Sequence, residues 1–139
     1  MQKSVLAEII RSLSRKEMRD IHKWLQSPAH NQRQDVIRLF DFLGKNLSTD
    51  DDSAEKEKAW KAVFPGEPYD DAYIRQVMYF LLKAIEEFLV FEDFTADKVR
   101  YQLSLTRIYR KRKLEKAYKQ AHRLGSESLD KQSLRNGFY

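Results

Sequence analysis

The stretch Asp71–Phe91, DAYIRQVMYFLLKAIEEFLVF, restricts the fold of this chain more than any other part of it. Ile74, Val77, Met78, Leu81, Leu82, Ile85, Phe88 and Leu89 recur at three- and four-residue steps, the period of an α-helix. Tyr73, Phe80, Ala84 and Phe91 add apolar matter to a further face. Only Arg75, Gln76, Lys83, Glu86 and Glu87 form a polar strip. A helix apolar around most of its circumference has to be covered on several sides. The expected fold is therefore all-α, with six or seven helices around a central helix over 71–91, as a helical bundle or the start of an α-solenoid.

Composition supports this. The 139 residues suit one core and include only 4 glycines and 3 prolines, too few breakers for the turns of an all-β chain. Cysteine is absent, which excludes disulfide and thiolate chemistry and fits a reducing compartment. The N-terminus MQKSVLAEIIR lacks the long apolar core and small-residue cleavage site of a secretory signal. No run approaches the roughly 18 apolar residues of a membrane span. A cytoplasmic protein without membrane attachment is expected.

Start and stop signals place the other helices. A short one spans Ser4–Arg11. Ser14 with Glu17 forms a capping box that opens a second, which carries Met18, Ile21, Trp24 and Leu25 and ends at Ser27-Pro28. Asn31 is the expected cap of a third helix reaching about Asn46. The polar loop Ser48–Ser53 leads to a fourth, capped by Asp52 or Ser53, with Ala59, Trp60, Val63 and Phe64 facing inward. Pro65-Gly66-Glu67-Pro68 makes a rigid reversal, with Gly66 free to take a positive φ. Asp70 or Asp71 caps the central helix, and Thr95 is the expected cap of the next. Beyond it, one long helix to Leu124 and two helices with a turn near Arg110–Lys113 both fit; a shift of apolar phase favours the second. Gly125 is a candidate C-terminal cap. Residues 1–124 read as a single helical domain and 125–139 as a weakly ordered tail or short helix.

Certain punctuation is shared with a known group. Leu13-Ser14 with Glu17, Trp24-Leu25 with Ser27-Pro28 and Asn31, Phe64-Pro65-Gly66 with Pro68-Tyr69-Asp70-Asp71, and Leu81-Leu82 with Glu86-Glu87-Phe88-Leu89 stand as they do in an uncharacterised family of bacterial helical-repeat proteins. The segment from Leu13 to Phe94 resembles that family. The resemblance implies no established activity. It implies longer chains continuing in repeated helix pairs, which would begin at Ala96–Leu124, so this chain reads as a truncated one or an incomplete repeat array. The order Trp60–Pro68 followed by a helix is also similar, more weakly, to winged-helix regulators, although residues 86–94 offer no β-hairpin wing.

Motifs of catalysis and ligand binding are largely absent from the sequence. The glycines Gly44, Gly66, Gly125 and Gly137 stand alone, so no phosphate-cradling loop exists. Gly125-Ser126-Glu127-Ser128 lacks the second glycine and preceding strand of a nucleophile elbow. His22, His30 and His122 have no ligand spacing, and solvation or capping accounts for them more simply than a metal. The acidic pairs Asp51-Asp52, Asp70-Asp71 and Glu86-Glu87 read as caps and solvated strips rather than general acids or bases. Helical spacing makes Trp24, Trp60, Phe80, Phe88, Phe91 and Phe94 core residues before it makes them a ligand box. No catalytic residue, cofactor or metal site is expected, and the chain reads as non-enzymatic.

Charge is the remaining signal. The net charge is +5. Basic against acidic residues stand at 9 to 5 over 1–47, 5 to 12 over 48–94 and 12 to 4 over 95–139. A basic arm thus follows an acidic middle. Arg107, Arg110, Lys111, Arg112, Lys113, Lys116, Lys119 and Arg123, interleaved with Tyr109 and Tyr118, are the candidate site for a polyanion or a protein partner. The plain alternative is a solvated helix face, or attraction between the arm and the middle of the chain. Two functional classes follow: a helical protein-interaction or scaffold module, or a nucleic-acid-binding module. The second would use a helix-turn-helix over 54–91, with Arg75, Gln76, Tyr79 and Lys83 toward the groove, or the basic helix 107–123. Four consecutive apolar residues, Phe88 to Phe91, lead to an expectation of self-association.

Overall fold

The computed structural model describes residues 5–47 and 56–136, with backbone alone for 126–136. Among the described residues there are seven helices and no strand. They are α1 (Val5–Ser12), α2 (Arg15–Gln26), α3 (Gln34–Leu47), α4 (Lys56–Val63), α5 (Asp71–Ala96), α6 (Lys98–Lys111) and α7 (Glu115–Asn136). The all-α bundle expected from apolar spacing is the observed architecture. The expected caps Asp52 and Ser53, and the loop they belong to, lie outside the described residues. By contacts the chain divides into two compact units, Met1–Phe88 and Leu89–Tyr139.

In the first unit the capping box forms as its residues dictate. Ser14 Oγ accepts from the Glu17 amide at 3.1 Å, and the Ser14 amide donates to Glu17 Oε1 at 2.9 Å. The α2 helix buries Ile21 and Leu25 and stops before Pro28. Asn31 does not cap α3. Its amide instead donates to the carbonyls of Leu25 and Arg33, and its oxygen accepts from the Arg33 amide, so it ties the end of α2 to the start of α3. The α3 backbone comes close to those of α1, α2 and α4. It buries Val36, Leu39, Phe40, Leu43 and Leu47. A methyl group added at Gly44 would stand 2.7 Å from Met18 Cε, the tip of a flexible side chain that would have to move aside for it.

The α5 helix meets this group through side chains. Ile74, Val77, Leu81 and Ile85 are fully buried, each contributing about 1.5–3 kcal/mol relative to exposure. The ring of Phe88 stands edge-on to Trp24 at 5.6 Å. Tyr73 lies edge-on to Phe64 at 5.2 Å and to Trp60 at 6.1 Å. Arg33 pairs with Asp35 through two nitrogens, at 3.1 and 2.8 Å, donates to Tyr73 Oη at 3.3 Å, and lies 4.6 Å over the Phe80 ring. The reversal before α5 holds Gly66 at φ 83° and is pinned by Trp60 Nε1 donating to the Glu67 carbonyl at 2.9 Å. Asp70 is the cap: its carboxylate accepts from the Tyr73 amide at 3.1 Å. Coverage of α5 is narrower than its composition suggested. Its buried residues form one stripe, and Tyr79, Val90 and Phe91 are more than half exposed. Large aromatic and β-branched side chains on a soluble helix need not all be covered, since a folded surface stays substantially apolar.

In the second unit Thr95 is not a cap. Its Oγ1 bonds back to the Phe91 carbonyl at 2.7 Å inside α5, and Asp97 caps α6 by accepting from the Arg100 amide at 3.1 Å. A carboxylate competes better than a hydroxyl that is already satisfied within the preceding turn. The α6 and α7 helices form an antiparallel hairpin, the two-helix outcome favoured by the phase shift. Ala117, Ala121 and Gln120 of α7 face Gln102, Leu105 and Tyr109 of α6 along the seam, with Ala121 buried. Gly125 does not end α7. It continues the small-residue line from Ala117 and Ala121, and a methyl group there would stand 3.5 Å from Gln102 Cβ.

Candidate site at the basic helix turn

The turn between α6 and α7 is built from backbone rules before any charge is considered. Lys113 adopts φ 57°, the only non-glycine residue with positive φ among the described residues. Its amide donates to the Arg110 carbonyl at 3.1 Å, and the Leu114 amide reaches back to the Tyr109 carbonyl at 3.0 Å. These two bonds are the Schellman arrangement that ends a helix with one left-handed residue. That position usually holds glycine, because a Cβ there costs about 1–2 kcal/mol. Here it holds a lysine, whose charge suits the negative end of α6. The Leu114 carbonyl then accepts from the Tyr118 amide at 2.8 Å and opens α7.

This turn gathers part of the predicted cluster and disperses the rest. Arg110, Lys113 and Lys119 meet around an open cleft of about 480 Å³. Tyr109, Leu114, Glu115 and Tyr118 complete its lining. Leu114 is 46% exposed, so the cleft presents an apolar patch within a cationic rim. Arg107 lies elsewhere, in a shallower hollow with Phe94, Arg100, Leu103 and Ser104. Lys111, Arg112, Lys116 and Arg123 are exposed and line neither. None of the eight cations makes an ion pair among the described residues, whereas Arg100 pairs with Asp93 at 3.5 Å and lies 5.3 Å over the Phe94 ring. Tyr118 is tilted toward His122, with ring centroids 5.9 Å apart.

Three other arrangements were missed in the sequence, where residue type alone does not select partners; the His22–Asp41 and Lys56–Asp71 contacts also join residues far apart in it. A groove of about 850 Å³ runs between α2 and α3, where His22 Nδ1 lies 3.1 Å from Asp41 Oδ1 and Arg19, Lys23 and Lys45 provide positive charge. His30 stacks on Trp24 with ring centroids 3.5 Å apart and nearly parallel planes. At the start of α5, Asp71 accepts from Tyr69 Oη at 2.7 Å and pairs with Lys56 at 3.0 Å and Arg75 at 2.9 Å. The bond from Tyr69, with that from Lys56, holds the Asp71 carboxyl below its ordinary value. The same bond, with desolvation and the negative charges of Asp71 and Glu57, pushes the Tyr69 phenol up to about 12.

The residues expected to face a DNA groove stand on the exposed side of α5. Arg75 is engaged by Asp71, however, and Lys83 sits 3.4 Å from Glu86 and over the Tyr79 ring. Among the described residues no group of three or more His, Asp or Glu side chains is placed to hold a metal ion, and no helix is long and apolar enough to cross a membrane.

Comparison with protein-family models, curated proteins and solved structures finds no match to this chain.

Proposed function

We propose that this chain is a non-enzymatic, cytoplasmic helical interaction module of the helical-repeat kind that residues 13–94 resemble. One observation carries the reading: α6 has no buried residue, and its Leu103 and Ile108 are 61% and 42% exposed. A helix pair that leaves apolar side chains open is the unit from which repeat arrays are stacked, because each pair is covered by its neighbour. The hairpin also stands where the resemblance has repeated pairs begin. Exposed Val90 and Phe91 supply further apolar surface and support self-association. The test is recovery from native lysate with Leu103→Glu beside the natural chain. A stoichiometric protein retained by the natural chain and lost by the variant, at unchanged thermal stability, supports the module. Equal recovery of nothing by both counts against it, as does a monomeric mass by light scattering against self-association.

A nucleic-acid reading stands second, favoured by the two tyrosines and by cations that make no ion pair among the described residues at the α6–α7 turn. Engagement of Arg75 and Lys83 by carboxylates on their own helix disfavours its helix-turn-helix form. Retardation of an oligonucleotide at low salt, abolished by alanine at Arg110–Lys113, supports the second reading; absence of retardation removes it.

A further inference from the structure

Resting on the interaction reading, we propose that the cleft at the α6–α7 turn is a docking site for an acidic protein segment that carries an apolar side chain. Three observations select that chemistry. Arg110, Lys113 and Lys119 converge on one cleft and make no ion pair among the described residues, so their positive charge is available to a carboxylate-bearing partner. Leu114 is 46% exposed between Tyr109 and Tyr118, which offers an apolar seat that a purely ionic partner would leave wet. Lys113 holds a left-handed conformation in which a glycine would be less strained, so the turn carries an ammonium group at the rim at a conformational cost.

Glu115 also lines the cleft, and it separates the two candidate anions. A nucleic-acid strand carries regularly spaced phosphates, and those seated here would be set against a carboxylate in the lining. A peptide can set its own carboxylates against Arg110, Lys113 and Lys119 and place an apolar side chain or a donor beside Glu115. A second basic hairpin is excluded as occupant of this cleft by like charge, since residues 95–139 carry 12 basic against 4 acidic residues.

The experiment titrates the full chain into a labelled amphipathic peptide of Glu, Leu and Phe at about 150 mM salt. The controls are a peptide with Leu and Phe replaced by Ser, a single-stranded oligonucleotide, and vesicles of phosphatidylserine and phosphatidylcholine. Exposed ion pairs are weak individually, so Arg110→Ala and Lys119→Ala each weaken binding about two- to fivefold. Loss of the apolar side chains weakens it about tenfold or more. Both variants replace exposed side chains outside the seam, so folding is preserved and circular dichroism checks it. Any one of four results overturns the inference: no peptide binding, equal binding of the Glu/Ser peptide, tighter binding of oligonucleotide or vesicles, or no effect of either alanine. If Arg110→Ala and Lys119→Ala both keep a lysate partner that Leu103→Glu loses, this inference fails while the interaction module stands.

Discussion

At the scale of single residues, Asp71 shows how one of two candidate caps takes on a different task. Asp70 does the capping, and Asp71 gathers Tyr69, Lys56 and Arg75. Folding favours the carboxylate at Asp71, so its contribution is complete above the ordinary value of 3.8 and is lost as the pH falls below that value through the folded one. Tyr69 behaves oppositely. Its neutral form is favoured, so its contribution is complete below the ordinary value of 10.0 and is lost as the pH rises through about 12. Phenolate absorbance of the natural chain minus that of Tyr69→Phe should titrate near 12; a difference curve centred at the ordinary tyrosine value would dissolve the pair. At Lys113 the prediction concerns backbone. Replacement by glycine relieves a left-handed lysine and should stabilise the hairpin by about 1 kcal/mol, read by urea unfolding. A loss of stability would mean that the lysine contributes more at the helix end than its conformation costs.

At the scale of elements, legibility follows how local the determining contact is. The Ser14–Glu17 box, the stop at Pro28 and the positive φ of Gly66 each depend on residues within a few positions, and each stands as expected. Thr95 and Asn31 mislead because a capping residue type has a choice of acceptors. Thr95 Oγ1 finds the Phe91 carbonyl inside the helix, and Asn31 finds the end of α2. Gly125 misleads because a glycine can also stand inside a helix: α7 runs on through it, and a methyl group there would lie at an ordinary 3.5 Å from Gln102 Cβ. Ala121, almost wholly buried at the seam, tolerates no added bulk. Ala121→Leu should destabilise the hairpin by about 1–3 kcal/mol through overpacking. Unfolding at unchanged denaturant midpoint would show that α6 and α7 are not closely packed there.

At the scale of the whole molecule, the two units differ in how much they bury. The first buries a continuous apolar set from α1 to α5, whereas α6 has no fully buried residue and meets α7 only through half-buried side chains. Opening free energy tracks buried apolar contact. Hydrogen exchange should thus find the slowest amides in α3 and in α5 up to Phe88, and markedly faster ones across α6. Equal protection in α3 and α6 would contradict this, unless a bound partner covers the hairpin, and repeating the measurement on the isolated chain separates the two.

Sequence alone determined that the chain is helical, where most helices begin and end, and that positive charge accumulates after residue 95. Those properties follow from period, capping chemistry and composition, all written locally along the chain. Tertiary structure decided which apolar faces are covered and which of the eight cations meet. Coverage depends on neighbours far apart in the sequence, and the convergence of Arg110, Lys113 and Lys119 depends on where one left-handed residue turns the chain.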